Sequence, residues 1–143
     1  MTIDEAGPGD LAAVRTLLAA CGLPLDGLDA CADTLLVARA RDRVIGCAAI
    51  ERHPPYALLR SVAVDAGARG QGLGQLLTAE ALALARRLDA RAVFLLTETA
   101  EGFFPRAGFR AVARDAVPAE VRDSVEFTSA CPASAAAMRL DLS

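Results

Sequence analysis

The sequence predicts an α/β fold of the α+β kind, in which helices pack on a mixed sheet. Three observations predict it. Apolar residues recur at every second position in some stretches and at every third or fourth in others, so strands and helices both occur. The two kinds alternate through the middle of the chain, while strand pairs with polar turns stand toward its ends, which gives a mixed rather than a purely parallel sheet. The 143 residues are one domain's length, enough to bury about two-thirds of the unfolded chain's surface without metal or disulfide staples. Residues 1–143 are therefore read as a single domain with no repeat, linker or internal boundary.

Residues 1–6 read as a short first strand. Pro8 and Asp10 then mark a helix start, since proline suits the first helical position and an acid favours the first turn. Leu11, Val14, Leu17, Leu18 and Cys21 form one apolar stripe, ended by Gly22 and Pro24. A short helix is expected within residues 25–33. Residues 35–40 and 44–50 read as a hairpin around the polar Arg41-Asp42-Arg43 turn. His53, Pro54 and Pro55 break the chain before a strand at 58–64. Residues 72–88 turn helical, with Leu73, Leu76, Leu77, Leu84 and Leu88 among strong helix formers. A compact apolar strand at 92–97 follows, then a short helix at 99–107 that Pro105 bends or ends. Residues 109–113 are strand-like and 118–123 helical. Met138, Leu140 and Leu142 alternate with Arg139 and Asp141 as a last, half-exposed strand.

The 54% hydrophobic and 23% charged content excludes a disordered tail or linker. A net charge of −3 argues against nucleic acid as partner, because such domains are normally basic. All fifteen basic residues are arginine, so no lysine serves a Schiff base or a phosphate-binding loop. Four cysteines (Cys21, Cys31, Cys47, Cys131) and one histidine match no zinc spacing, and no metal is expected. With no leader at the start and no apolar run of the roughly 18 residues a span needs, the expectation is a cytoplasmic protein, away from membranes, with buried thiols.

The stretch Val62-Ala63-Val64-Asp65-Ala66-Gly67-Ala68-Arg69-Gly70-Gln71-Gly72-Leu73-Gly74 carries the chemistry. It runs strand, glycine-rich turn, helix. Gly70, Gly72 and Gly74 let the backbone turn and approach a ligand, the first helical turn presents unpaired N–H groups, and Arg69 adds a cation. Together these make an anion site suited to phosphate. A dinucleotide fingerprint wants its third glycine one residue later, where Gln75 stands, and a Walker loop needs the missing lysine. A dinucleotide site, for which Glu98 ends the next strand at a tolerable distance, a glycine turn without ligand and a cradle for another phosphate-bearing ligand remain.

The loop resembles the signature Arg/Gln-x-x-Gly-x-Gly/Ala of the Gcn5-related N-acetyltransferase (GNAT) superfamily, through Arg69, Gly72 and Gly74. The likeness extends over nearly the whole chain, to Phe103, Phe104, Gly108 and Phe109 of a Phe-Phe-x-x-x-Gly-Phe element. It implies a central mixed, mostly antiparallel sheet of six or seven strands flanked by four or five helices, and acetyl-CoA as cosubstrate. Carried over by position, Val62, Ala63 and Val64 give the strand edge that pairs with pantetheine. Arg69, Gly70, Gln71, Gly72, Leu73, Gly74 and Gln75 cradle the pyrophosphate. Phe103, Phe104 and Arg106 line the cofactor's flank or its thioester end. The acetyl group lies in a gap between residues 58–64 and 92–97. Homodimers are common in the superfamily, and the residues leave that open.

A narrower likeness joins the run 95–100, with Phe103, Phe104, Gly108 and Phe109, to N-acetylglutamate synthase acetyltransferase domains. Leu59, Arg60, Ser61, Glu126, Phe127, Cys131, Pro132, Ser134, Ala135 and Met138 are similar to the small arsenic-resistance N-acetyltransferases, detoxifying enzymes akin to those that acetylate phosphinothricin-type glutamate mimics. Both imply acetyl transfer to the amine of a small, acidic, amino-acid-like molecule. Many members carry a carboxylate base where Ser61 stands, a tyrosine acid where Phe104 stands, and Asn near Thr97. Glu98 is the expected substitute base, with Ser61 beside it, and Glu51 and Tyr56 are weaker candidates. Arg60, Ser61, Thr97 and Thr99 are the expected substrate contacts. A charge at Arg60, inside an apolar strand, either holds a substrate carboxylate or pairs with an internal acid. His53 reads as a loop residue and Cys131 as a packing residue. The alternatives are a GNAT module that senses acyl-CoA without turnover and an enzyme that acetylates protein N-termini.

Overall fold

Alternating and helical apolar periods become seven strands and four α-helices among the residues that a computed structural model describes, 1–98, 103–130 and 135–142. The strands are β1 Thr2–Glu5, β2 Leu35–Ala40, β3 Arg43–His53, β4 Tyr56–Val64, β5 Ala92–Thr97, β6 Arg110–Val112 and β7 Ala136–Asp141. The α-helices are α1 Leu11–Ala20, α2 Leu73–Arg87, α3 Phe103–Arg106 and α4 Ala119–Arg122. Tight 3₁₀ turns cover Leu28–Thr34, Ala66–Ala68 and Arg114–Ala116, and a π-type turn covers Glu126–Ala130. The strands form one sheet in the order β1-β2-β3-β4-β5-β7-β6. Only β4 and β5 run parallel; every other neighbouring pair is antiparallel. The sheet is the mixed, mostly antiparallel one expected.

Several boundaries differ from the sequence reading for local reasons. Pro54 and Pro55 do not break the strands: His53 faces Tyr56 directly across them, so they form a hairpin turn, where a missing ladder donor does no harm. The helix expected within 25–33 is the 3₁₀ turn from Leu28. Of the residues 99–107 expected as a helix, 103–107 are described, and Phe103–Arg106 are helical. Asp10 precedes α1 as expected, but its carboxylate accepts the Gly7 N–H at 2.7 Å and pairs with Arg39 instead of capping α1. No helix among the described residues is long and apolar enough to cross a membrane.

The two sheet faces bury alternate residues, as the pleat requires. On one face Leu77, Ala81 and Ala85 of α2, with Phe104 and Phe109, pack on Leu36, Ile50, Leu59, Val93 and Leu95. On the other face α1 lays Val14, Leu17 and Leu18 on Val37, Cys47 and Ala49, and α4 lays Val121 on Leu58 and Phe94. Gly46 sets the closeness of α2 to β3, since a Cβ there would stand 2.8 Å from Leu77 Cδ1.

The feature that opens a site is in β4. Its register against β3 passes from Ala49–Arg60 to Cys47–Ala63, so Ser61 and Val62 together oppose Ala48. This is a β-bulge, and Ser61 takes a left-handed φ of 59° to make it. Toward β5, β4 pairs only through Ala57–Val93 and Leu58–Phe94. Beyond those pairs the two strands part.

Candidate active site

The parting of β4 and β5 opens into a cleft of about 770 Å³. One wall is Leu59 through Val64, the other Leu95 through Glu98; the start of α2 with Phe103, Phe104 and Arg106 closes one side, and Cys21 to Pro24 with Glu126 and Ala135 closes the other. The Asp65 N–H donates to the Ile45 carbonyl at 2.8 Å, across β3. Backbone groups alternate in direction along a strand, so those of Ala63 also face β3 while those of Val62 and Val64 face the gap. The close approach of the Ala63 carbonyl to Gly46 agrees. The Val64 carbonyl is met there by Arg69 Nε at 3.1 Å.

At the wide end of the gap the glycine turn delivers the chain into α2. Gly70 and Gly72 have φ of 82° and 78°, and a Cβ on either would meet nothing within 4 Å. These glycines are required by the left-handed backbone, and the space before them is open. Gly74 is required for a different reason: a Cβ there would stand 3.1 Å from the Phe103 ring. No side chain caps α2, its first turn holds no acid, and the first N–H to bond back along the helix is that of Leu76, to the Gly72 carbonyl. The N–H groups of Leu73, Gly74 and Gln75 thus have no helical partner, and all three residues line the cleft. Arg69 lies alongside, its Nη2 at 3.5 Å from Cys21 Sγ. The arrangement fits a diphosphate: converging amide donors, the positive end of a 15-residue helix, a guanidinium, and room. Gln71, expected in the cradle, is exposed and stands off the cleft wall.

At the narrow end Arg60 is 3% exposed. Its Nη1 donates to Glu51 Oε2 at 2.9 Å, its Nε to Ser61 Oγ at 3.0 Å and its Nη2 to the Pro24 carbonyl at 3.3 Å, and Nη2 lies 3.7 Å from Glu126 Oε2. Glu51 Oε1 also bonds His53 Nε2 at 2.7 Å and accepts from Ser124 Oγ at 2.6 Å. Burial pushes the Glu51 carboxyl up, but the bonds from His53, Ser124 and Arg60 outweigh it and hold the group down at about 2. Glu51 is therefore unsuited to take a proton at neutral pH. Arg60 has the internal acids that one of its two sequence readings foresaw; the residue lines the cleft, but its side chain is fully buried.

Glu98 and Thr97 line the far wall, Glu98 exposed at its rim. Thr99 and Cys131, with the neighbouring Pro132 and Ser134, lie outside the described residues. His53 is no loop residue but the last of β3, bonded to Glu51; Tyr56 stacks edge-on against Phe94 at 5.7 Å, away from the cleft. Cys31 and Cys47 are buried free thiols, pushed up by burial to about 11 and about 12. Sequence reasoning gave Glu126 no role of its own, although it stood among the residues that resemble the small arsenic-resistance N-acetyltransferases.

A splayed strand pair with an uncapped, glycine-led helix at its mouth is the frame of the site, and the acetyltransferase (GNAT) domain model matches residues 32–111; the chain belongs to that family. It is 37% identical over 84 residues, 58% of this chain and 48% of the relative, to the amino-acid acetyltransferase of Mycobacterium tuberculosis strain H37Rv. It is 35% identical over 86 residues, 59% of this chain and 55% of the relative, to an uncharacterized N-acetyltransferase of Chlorobaculum tepidum. The chain spans about half the length of these curated relatives. In structure it resembles Rv2747 of Mycobacterium tuberculosis, solved in complex with CoA and a further ligand, at a TM-score of 0.84, 28% identity and 100% coverage of both chains. N-acetylglutamate synthase of Neisseria gonorrhoeae, solved with coenzyme A and N-acetyl-glutamate, shares the fold at a TM-score of 0.84 and 20% identity, over 99% of this chain and 35% of that one.

Proposed function

We propose that residues 1–143 act as one acetyl-CoA-dependent N-acetyltransferase domain that acetylates the amine of a small, amino-acid-like acceptor. The observation that carries the reading is the pairing of an open amide cradle at the start of α2 with an outward-facing backbone edge at Val62 and Val64. Arg69 and the amides of Leu73, Gly74 and Gln75 would hold the diphosphate. The backbone groups of Val62 and Val64 would bind pantetheine as if it were another strand, and Phe103, Phe104 and Arg106 would cover its flank. Acetyl-CoA supplies an activated acetyl thioester. A backbone N–H of the Val62–Val64 edge would stabilise the charge that develops on the thioester oxygen.

The acceptor would enter on the face of the sheet that carries α1 and α4, where Arg60, Ser61 and Thr97 meet the cleft. Holding the two reactants side by side supplies about 7–11 kcal/mol of the barrier. The amine's proton would go to one of the two carboxylates on the cleft wall, Glu98 or Glu126. Glutamate and its arsenical or phosphinothricin-type mimics are the acceptors proposed; the names of the similar proteins support an amino-acid acceptor such as glutamate, and the mimics rest on the sequence resemblance alone.

Calorimetry with coenzyme A and a thiol-release assay over a panel of glutamate, glutamine, phosphinothricin and arsenical amino acids test the reading. Binding with turnover on one of them is expected. Absence of coenzyme binding would refute the cradle. Binding without turnover on any amine would leave a sensor module.

A further inference from the structure

Resting on that function, the hydrogen bonds around Ser61 give its hydroxyl a direction and a task. The sequence leaves Ser61 open as a catalytic group and as a substrate contact, with Arg60 as a second contact. The Arg60 side chain is fully buried, so the guanidinium itself reaches no ligand. Ser61, the next residue, is half-buried and lines the cleft. It is also the bulge residue, at a left-handed φ of 59° that is unfavourable for any side chain. Strain of this kind persists only where the surroundings hold it, and it gathers at ligand sites.

The surroundings do hold it. Cys47 Sγ donates to the Ser61 carbonyl from β3 at 3.2 Å. Arg60 Nε donates to Ser61 Oγ at 3.0 Å. Behind that bond the guanidinium is fixed by Glu51 Oε2 at 2.9 Å and by the Pro24 carbonyl at 3.3 Å, and even a Cβ on Gly27 would come within 3.2 Å of its Nη1. A guanidinium N–H can only donate, so it takes a lone pair of Oγ. The hydroxyl hydrogen turns away from that positive group, and away from the buried guanidinium is toward the cleft. Ser61 thus meets a ligand as a polarised donor with a cation behind it, unsuited to take a proton and suited to hold an anionic oxygen.

The place of Ser61 along β4 decides which oxygen. Val62, the next residue, begins the edge proposed for pantetheine, so the thioester would end beside Ser61. The bond from Arg60 to Pro24, in the segment that packs with α1, puts the guanidinium and the Oγ bonded to it on the acceptor's face of the sheet. An α-carboxylate carbon is two bonds from its amine nitrogen, and holding it at Ser61 would set that nitrogen against the thioester. We propose that the Ser61 hydroxyl donates to the α-carboxylate of the acceptor and selects free α-amino acids, with Arg60 as the positioning residue that aims it. A protein N-terminus, whose α-carbonyl is tied up in a peptide bond, lacks the matching charge.

The test measures kcat and KM of wild type, Ser61→Ala, Ser61→Gly and Arg60→Lys for each amino acid of the panel and for its α-amide, which keeps the amine and replaces the carboxylate. Coenzyme affinity by calorimetry and Tm accompany each variant. Glycine takes the left-handed backbone readily, so Ser61→Gly separates loss of the hydroxyl from loss of the bulge. Wild type is expected to acetylate the acid with a higher kcat/KM than the α-amide. In both Ser61 variants KM for the acid is expected to rise about 10–100-fold, and the preference for acid over α-amide to fall by the same factor. Arg60→Lys keeps a cation beside Glu51 but brings no N–H to Ser61 Oγ, and the same loss of preference is expected; a loss shared equally by acid and α-amide would make Arg60 a structural brace only. The Ser61 variants decide the main assignment whatever Arg60→Lys does to Tm. Equal use of acid and α-amide by wild type, an unchanged KM in both Ser61 variants, or an equal fall in kcat with both acceptors, the mark of a donor to the thioester oxygen, would overturn it and leave the proposed function standing. Wild type that binds coenzyme A but turns over no amine would overturn the proposed function itself, and Ser61's part with it.

Discussion

Glycine at position 72 stands where two demands coincide, a left-handed backbone and an unobstructed approach to the first amides of α2. Gly72→Gln and Gly72→Glu impose the same backbone strain, about 1–2 kcal/mol, and differ only in charge. Coenzyme affinity measured by calorimetry is expected to fall in both, with about 30–100-fold more loss in Gly72→Glu, equivalent to about 2–3 kcal/mol of repulsion. Equal losses would mean that no anion sits there. At the other end of the cleft, Glu51 links charge to stability. Its carboxyl lies at about 2 in the folded chain against an ordinary 4.5, so its contribution is complete above pH 4.5 and is lost as pH falls toward 2. Glu51→Gln is expected to cost about 3 kcal/mol at pH 7, because Arg60 loses its nearest counter-ion. Urea denaturation at successive pH values should show the gap between variant and wild type closing over that acid window.

Between β3 and α2 the spacing is set by the absence of a side chain at Gly46. Gly46→Ala would drive a methyl to within 2.8 Å of Leu77 and 3.3 Å of Leu73. Urea unfolding should report about 1–3 kcal/mol of destabilisation, and because Leu73 opens α2, coenzyme affinity should weaken too. This element-scale arrangement marks the limit of what the chain reveals on its own. The glycine turn, α2 and the strands on either side of it are legible because each rests on a local pattern a dozen or so residues long. The bulge at Ser61 is not, since Leu58 to Val64 reads equally well as an uninterrupted strand, and only pairing with β3 shows that two residues oppose one. Arg60 announces itself as a charge in an apolar run. Its partners do not, because Glu51 comes from the neighbouring strand and Glu126 from a turn far along the chain. Pro54 and Pro55 misled for a related reason: they read as a break, but the cross-strand partners on both sides make them a turn.

Across the whole molecule, the sheet is held together unevenly. Neighbouring strands elsewhere share longer ladders, but β4 and β5 meet at two residue pairs only, and the helical layers on both faces span that junction. A ligand that bonds the free edge of β4 is expected to raise Tm in proportion to the logarithm of its concentration, by an amount equivalent to about 2.7 kcal/mol at a hundred times its dissociation constant. Hydrogen exchange should slow at Val62, Val64 and the first amides of α2, and far less at β1 and β2, which do not line the cleft. Uniform slowing along the chain would contradict a ligand seated between the two strands. The short parallel seam therefore has a meaning beyond geometry: on the proposed function, the chain leaves one rung of its own architecture to be filled by a visitor, so that recognising the carrier and completing the framework would be a single event.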